Sequence, residues 1–164
     1  PDVEARLHAE VDGVDGDLSL GSLADLPYTR AVFAESMRLY PPAWAVGREA
    51  ARDTSLGGHP VPRRSTVLFA PIHLHRDARF WDAPDAFRPE RHLGASHRHK
   101  FAYVPFSVGR RGCIGERFAW AEGVLVLATI ARRWRLEQAG SPPRPHGSVT
   151  LRPDGPLWMR AVER

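Results

Sequence analysis

Apolar positions recur at helical spacing in three stretches of the chain. Val3, Leu7 and Val11 predict a short amphipathic helix over residues 3 to 11, which the Gly- and Asp-rich run from Asp12 to Asp17 interrupts. A second helix is predicted from a cap at Asp25 to about Tyr40, where Pro41 and Pro42 stop it. Phe33, Met37 and Tyr40 form an apolar stripe on this helix, and Glu35 and Arg38, three residues apart, share a different face. The most strongly marked helix runs from Ile114 to about Arg133. It contains no proline, carries Phe118 and Leu125 at helical spacing, and has Arg132, Arg133 and Arg135 at its C-terminal end, where cations suit the helix dipole.

Strand spacing fills much of the remainder. Ala43 to Phe69 reads as strand-like pieces around the Gly57-Gly58 turn, with Thr66 to Phe69 the clearest β-branched run. Pro71 to Tyr103 is dense in Pro, Asp, Arg and His and is expected to be a long ordered meander, with one helical turn over Ile72 to Arg76. After a linker from Gly140 to Pro145, Val149 to Leu151 and Leu157 to Val162 flank Pro153-Asp154-Gly155-Pro156, the pattern of a closing hairpin. The pattern as a whole is α+β.

A length of 164 residues corresponds to one domain, and 43% hydrophobic with 26% charged residues is a globular composition. The longest apolar stretch, Gly123 to Ala131, falls well short of the ~20 residues of a membrane span. With no basic-then-apolar leader at the start, a cytoplasmic protein is expected. Residues 1 to 26 hold seven acids against Arg6, a net of −6, so the remainder carries +10 of the overall +4. This polarity suggests an incomplete molecule or an acidic partner. A pI near 10 also admits an Arg-rich nucleic-acid or partner-binding fragment, but the basic residues do not form stripes interleaved with aromatics, so no nucleic-acid partner is expected.

Cys113 is the single cysteine, which excludes an internal disulfide and any multi-thiolate metal site. It lies in Phe106-Ser107-Val108-Gly109-Arg110-Arg111-Gly112-Cys113-Ile114-Gly115, immediately before the strongest helix. A helix N-terminus and neighbouring guanidinium groups favour thiolate, the metal-binding form. The glycines leave backbone N–H groups open to the sulfur and let a flat cofactor approach closely. A buried structural cysteine, or a nucleophile activated by one of the eight histidines, would also account for a lone thiol.

The stretch matches every fixed position of F-x-x-G-x-R-x-C-x-G, the haem-binding signature of the cytochrome P450 family of haem-thiolate monooxygenases. Glu35-Ser36-Met37-Arg38, followed by Pro41-Pro42, resembles the E-x-x-R of that family's K helix, and Phe87-Arg88-Pro89-Glu90-Arg91 resembles its F-x-P-E-R meander motif. His75-Arg76-Asp77 and the turn ending at Pro62 are also similar to the family. The resemblance covers nearly the whole chain. It implies the C-terminal, haem-binding portion of the fold over residues 1–164: K-like and L-like helices, a small antiparallel sheet, the meander and the cysteine loop. The mainly helical body, the distal helix and most substrate loops would lie upstream.

The resemblance implies that Cys113 is the axial ligand of haem iron, a thiolate whose electron donation favours O–O cleavage. Phe106, Gly109, Arg111, Ile114 and Gly115 would complete the haem loop, with Arg111 and Arg48 pairing with the propionates. Glu35, Arg38 and Arg91 would form a network holding the meander against the helix. The implied reaction is activation of dioxygen and insertion of one oxygen atom into a small organic substrate, with electrons from a ferredoxin or flavodoxin-type donor. Arg98, Lys100, Arg110 and Arg117 would be contacts for such an acidic redox protein. Two departures from the family pattern stand out: His92 where an aromatic residue usually follows the P-E-R motif, and Arg64 where a turn glycine is common. His92, His97 and His99 lack the regular spacing of a metal site and are read as ordinary loop residues.

Overall fold

The computed structural model describes residues 2–94 and 99–164. Its helices are α1 (Asp2–Asp12), α2 (Pro27–Leu39), α3 (Pro71–Leu74) and α4 (Glu116–Arg133), with 3-10 turns at Leu20–Asp25, Pro89–His92 and Gly109–Arg111. The strands are β1 (Val46–Glu49), β2 (Thr54–Leu56), β3 (His59–Val61), β4 (Thr66–Phe69), β5 (Trp134–Gln138), β6 (Pro145–Gly147), β7 (Leu151–Pro153) and β8 (Met159–Glu163). They form antiparallel pairs, so the chain is α+β as expected.

The main core lies where α1, α2 and α4 meet. Leu7 and Val11 of α1 pack with Leu26, Tyr28 and Val32 at the start of α2 and with Val124, Ala128 and Ala131 of α4. The approach of α2 to α4 depends on Gly123, where a Cβ would stand 2.3 Å from the Phe33 ring. Arg132 of α4 closes the C-terminal end of α1 by donating to the Val11, Val14 and Gly16 carbonyls. Helix ends leave such carbonyls without intrahelical partners, so this guanidinium stands in for a missing turn.

The cap of α2 differs from expectation. Asp25 ends a preceding 3-10 turn, and the capping position falls to Leu26, which has no side-chain oxygen to offer. The Glu10 carboxylate of α1 takes over, accepting from the backbone N–H groups of Tyr28 (2.6 Å) and Thr29 (2.7 Å) and from the Thr29 hydroxyl (2.7 Å). An anion from a neighbouring helix thus satisfies the orphan donors and meets the positive end of the helix dipole. α4 begins two residues later than Ile114, with Gly115 at its cap, and the turn expected over Ile72 to Arg76 occupies Pro71–Leu74.

β2 and β3 form the hairpin around Gly57 and Gly58, whose φ values of +56° and +84° lie where a side chain is strained. β1 pairs with β4, setting Val46 opposite Phe69 and Glu49 opposite Thr66. The closing hairpin does not form as the sequence pattern suggests. Leu151–Pro153 pairs backwards with Pro145–Gly147, while Met159–Glu163 returns to Trp134–Gln138 directly after α4. Arg144 and Asp154 lock the shorter pair, Arg144 N–H donating to the Asp154 carboxylate and Asp154 N–H to the Arg144 carbonyl. Pro153 and Pro156 lack N–H donors, so the segment between them links two ladders instead of closing one.

Candidate functional site

Glu35 lies on the buried face of α2, not on a solvated one, and its side chain and that of Arg38 are both completely inaccessible. Arg38 forks onto the carboxylate, Nε donating to Oε2 at 2.8 Å and Nη2 to Oε1 at 2.9 Å. Its remaining donors reach the carbonyls of His75 (2.8 Å), Pro84 (2.6 Å) and Ala86 (3.1 Å). One guanidinium therefore fastens the meander to α2. The Arg88 backbone N–H donates to Oε1 at 2.8 Å. Arg91 completes the expected trio with Nε 3.4 Å from Oε1, while its Nη2 donates to the Ala83 carbonyl.

The sequence reading missed a further partner, His92, whose Nε2 lies 2.9 Å from Glu35 Oε2. Its identity carried the signal: a ring nitrogen stands where an aromatic hydrocarbon was expected. Burial works to raise the Glu35 pKa, but the hydrogen bonds from His92, Arg38 and the Arg88 N–H, with the Arg38 charge, outweigh it and hold the carboxyl at about 2. The expected stripe of Phe33, Met37 and Tyr40 is not one buried face. Met37 is buried, whereas Tyr40 lies past the end of α2, exposed beneath the Arg76 guanidinium.

The cysteine segment folds as a chain of tight turns. Ser107 N–H donates to the Val104 carbonyl (3.1 Å), Gly112 N–H to Gly109 (3.0 Å), and Cys113 N–H to the Phe106 carbonyl (2.9 Å). Ser107 and Gly109 adopt positive φ values of 62° and 71°, the first strained for a side chain and the second free for glycine. Phe106 anchors the loop underneath, its ring 5.9 Å from that of Trp120 on α4. The Cys113 thiol is exposed, so it is not a buried structural cysteine. Of the apolar residues flanking it in the chain, Ile114 is fully exposed and Val108 and Phe118 are half exposed or more, interspersed with the exposed Arg110, Arg111 and Arg117.

Phe106, Gly109, Arg111, Cys113, Ile114 and Gly115 are thus brought together in one loop, and Glu35, Arg38 and Arg91 in one buried cluster. Arg48 lies apart on β1, exposed, donating only to the neighbouring Gly47 carbonyl. Neither Arg48 nor Arg111 forms an ion pair among the described residues. His97 and Arg98 lie outside the described residues, which contain no group of three metal-ligating side chains. Lys100, Arg110 and Arg117 are exposed. Arg64 holds φ at +68°, the strained conformation in which glycine is common.

A family model described as Cytochrome P450 matches residues 1–159. Cyclooctatin synthase of Streptomyces melanosporofaciens is 44% identical over 97% of this chain and 36% of its own length. Cyclooctat-9-en-7-ol 5-monooxygenase of the same organism is 43% identical over 83% of this chain and 30% of its own. Cytochrome P450 4p1 of Drosophila melanogaster is 34% identical over the full chain and 34% of its own length. The chain spans about a third of the curated relatives it matches. The three ordered motifs, the buried Glu35 cluster and the match over residues 1–159 agree, and the chain belongs to the cytochrome P450 family.

Proposed function

We propose that residues 1–164 are the haem-binding portion of a cytochrome P450 monooxygenase, in which Cys113 would supply the thiolate that holds the iron. The observation that carries this reading is the exposed Cys113 thiol, presented by a turn pinned at the Phe106 carbonyl. The residues fit haem. One soft sulfur donor stands exposed in a loop that also exposes Val108 and Ile114, Gly109 leaves open space beside its Cα, and the exposed guanidiniums of Arg48 and Arg111 suit propionates. When bound, haem iron supplies reductive activation of dioxygen and transfer of one oxygen atom to an organic substrate.

The chain's own part is to hold and orient. Cys113 supplies the thiolate, Phe106 and Ile114 the apolar bed, and Gly109 and Gly115 the close approach of backbone. Arg111, and Arg48 from β1, would hold the carboxylates of the cofactor. Glu35, Arg38 and Arg91 act at a distance by clamping the meander to α2. A cysteine nucleophile is the weaker reading, because no hydrogen bond joins Cys113 Sγ to a histidine among the described residues, and His92 and His75 are engaged with Glu35 and with the Val104 N–H.

The substrate in this reading is a small, largely hydrocarbon molecule, and the unsaturated alcohol named for the 43%-identical relative is the first to try. Electrons come from a ferredoxin or flavodoxin-type donor docking on Lys100, Arg110 and Arg117. Cytoplasmic placement belongs to the same proposal; among the described residues no helix is long and apolar enough to cross a membrane. The test is turnover by the haem-loaded protein with such a donor under isotopically labelled dioxygen. One labelled oxygen atom in the product supports the reading, and label entering only from water overturns it.

A further inference from the structure

The buried Glu35 cluster and the cysteine loop are connected through His75, and the connection uses both its backbone and its ring. Its backbone carbonyl accepts from Arg38 Nη1 at 2.8 Å. Its ring Nε2 accepts the Val104 N–H at 2.9 Å. Val104 opens the turn sequence of the loop, its carbonyl taking the Ser107 N–H, and two residues further on the Phe106 carbonyl takes the Cys113 N–H. The neighbouring Tyr103 reinforces the same point, its hydroxyl donating to the Ala34 carbonyl of α2 and its ring lying 5.3 Å from that of His75.

We infer that His75 is a positioning residue for Cys113, setting the height of the cysteine loop by accepting the Val104 N–H from a wholly buried site anchored to Arg38. The inference rests on Cys113 being the haem ligand, but the hold on the loop does not require haem. Accepting at Nε2 places the imidazole proton on Nδ1, on the side of the ring that faces the Arg38 and Met37 backbone carbonyls. Burial keeps the ring neutral and hence an acceptor, holding its pKa at about 4; the backbone carbonyls of Arg38 and Met37 oppose this effect, and the Arg38 and Arg76 charges reinforce it.

The test compares wild type with His75→Leu, which removes the acceptor, and His75→Gln, which keeps one at a similar reach. Amide exchange is read at Val104 and Cys113, and the carbon monoxide difference spectrum is taken on the reduced, haem-loaded proteins. His75→Leu lowers protection at both amides by tenfold or more and moves part of the red-shifted Soret band to shorter wavelength. His75→Gln restores both. A folded His75→Leu with wild-type protection at Val104 and Cys113 overturns the inference. If that variant does not fold, a folded His75→Gln decides the matter: wild-type protection at Cys113 supports the inference and lost protection overturns it. Exchange behaving as expected with no red-shifted band in any protein, wild type included, overturns the haem reading while His75's hold on the loop stands.

Discussion

His92 Nε2 and Glu35 Oε2 lie 2.9 Å apart, on the same carboxylate oxygen that accepts Arg38 Nε. A phenylalanine at this position would leave Oε2 with the Arg38 donor alone. His92→Phe is therefore expected to destabilise the protein by about 1.5–3 kcal/mol, the usual range for loss of one hydrogen bond to a charged group. The midpoint of urea unfolding measures it. A midpoint at or above wild type would show that packing of the ring, not its nitrogen, decides the position.

Removing the carboxylate has a larger effect. Glu35→Ala removes the counter-charge of the wholly buried Arg38 guanidinium and of Arg91, and leaves the Arg88 N–H without its acceptor. Breaking a buried pair from one side costs about 3–5 kcal/mol. The expected outcome is a protein that unfolds well below wild type and does not incorporate haem. Wild-type haem content in that variant would contradict the role given to the cluster.

Acid should unfold the protein in two stages. The ordinary histidine pKa of 6.5 falls to about 4 for His75 when folded, so between those values the unfolded chain takes a proton that the folded one refuses. Stability is thus lost as pH falls from 6.5 towards 4, by about 3 kcal/mol in all. Glu35 is held at about 2 against an ordinary 4.5, so its contribution is present above 4.5 and drains away as pH falls towards 2. Unfolding midpoints across pH 7.5 to 3 test this, and His75→Gln should flatten the upper stage alone. An unchanged slope in that variant would contradict the assignment.

Gly123→Ala sets two magnitudes against each other. Alanine improves an exposed helix interior by up to about 1 kcal/mol over glycine. Here its methyl would sit 2.3 Å from a Phe33 ring already packed edge-on against Trp120. Overpacking of that kind costs about 1–3 kcal/mol, so the net change is destabilising. A raised thermal midpoint would mean that Phe33 swings aside freely.

Helix α1, the body of α4, the Gly57-Gly58 hairpin and the cysteine loop were all legible in the sequence, because periodicity, glycines and motif spacing act over a few residues. What escaped was decided by partners far along the chain. Glu10 caps α2 across eighteen residues, so Asp25, the nearer carboxylate, was the natural but mistaken choice. The pairing of β8 with β5 depends on a return across the end of α4, which no local turn signal announces. Glu35 and Arg38 lie off the apolar stripe that the sequence shows on α2; the meander carbonyls that close over Arg38 make them core. His92 was visible as a departure, but its hydrogen bond to Glu35 was not.

The central claim, that Cys113 ligates haem iron, is tested most directly by the carbon monoxide difference spectrum of the reduced, haem-loaded protein beside its Cys113→Ala variant. A red-shifted Soret band present in the first and missing from the second is the predicted result. A band of equal position and intensity in both would contradict it, since the ligand would then be some other group.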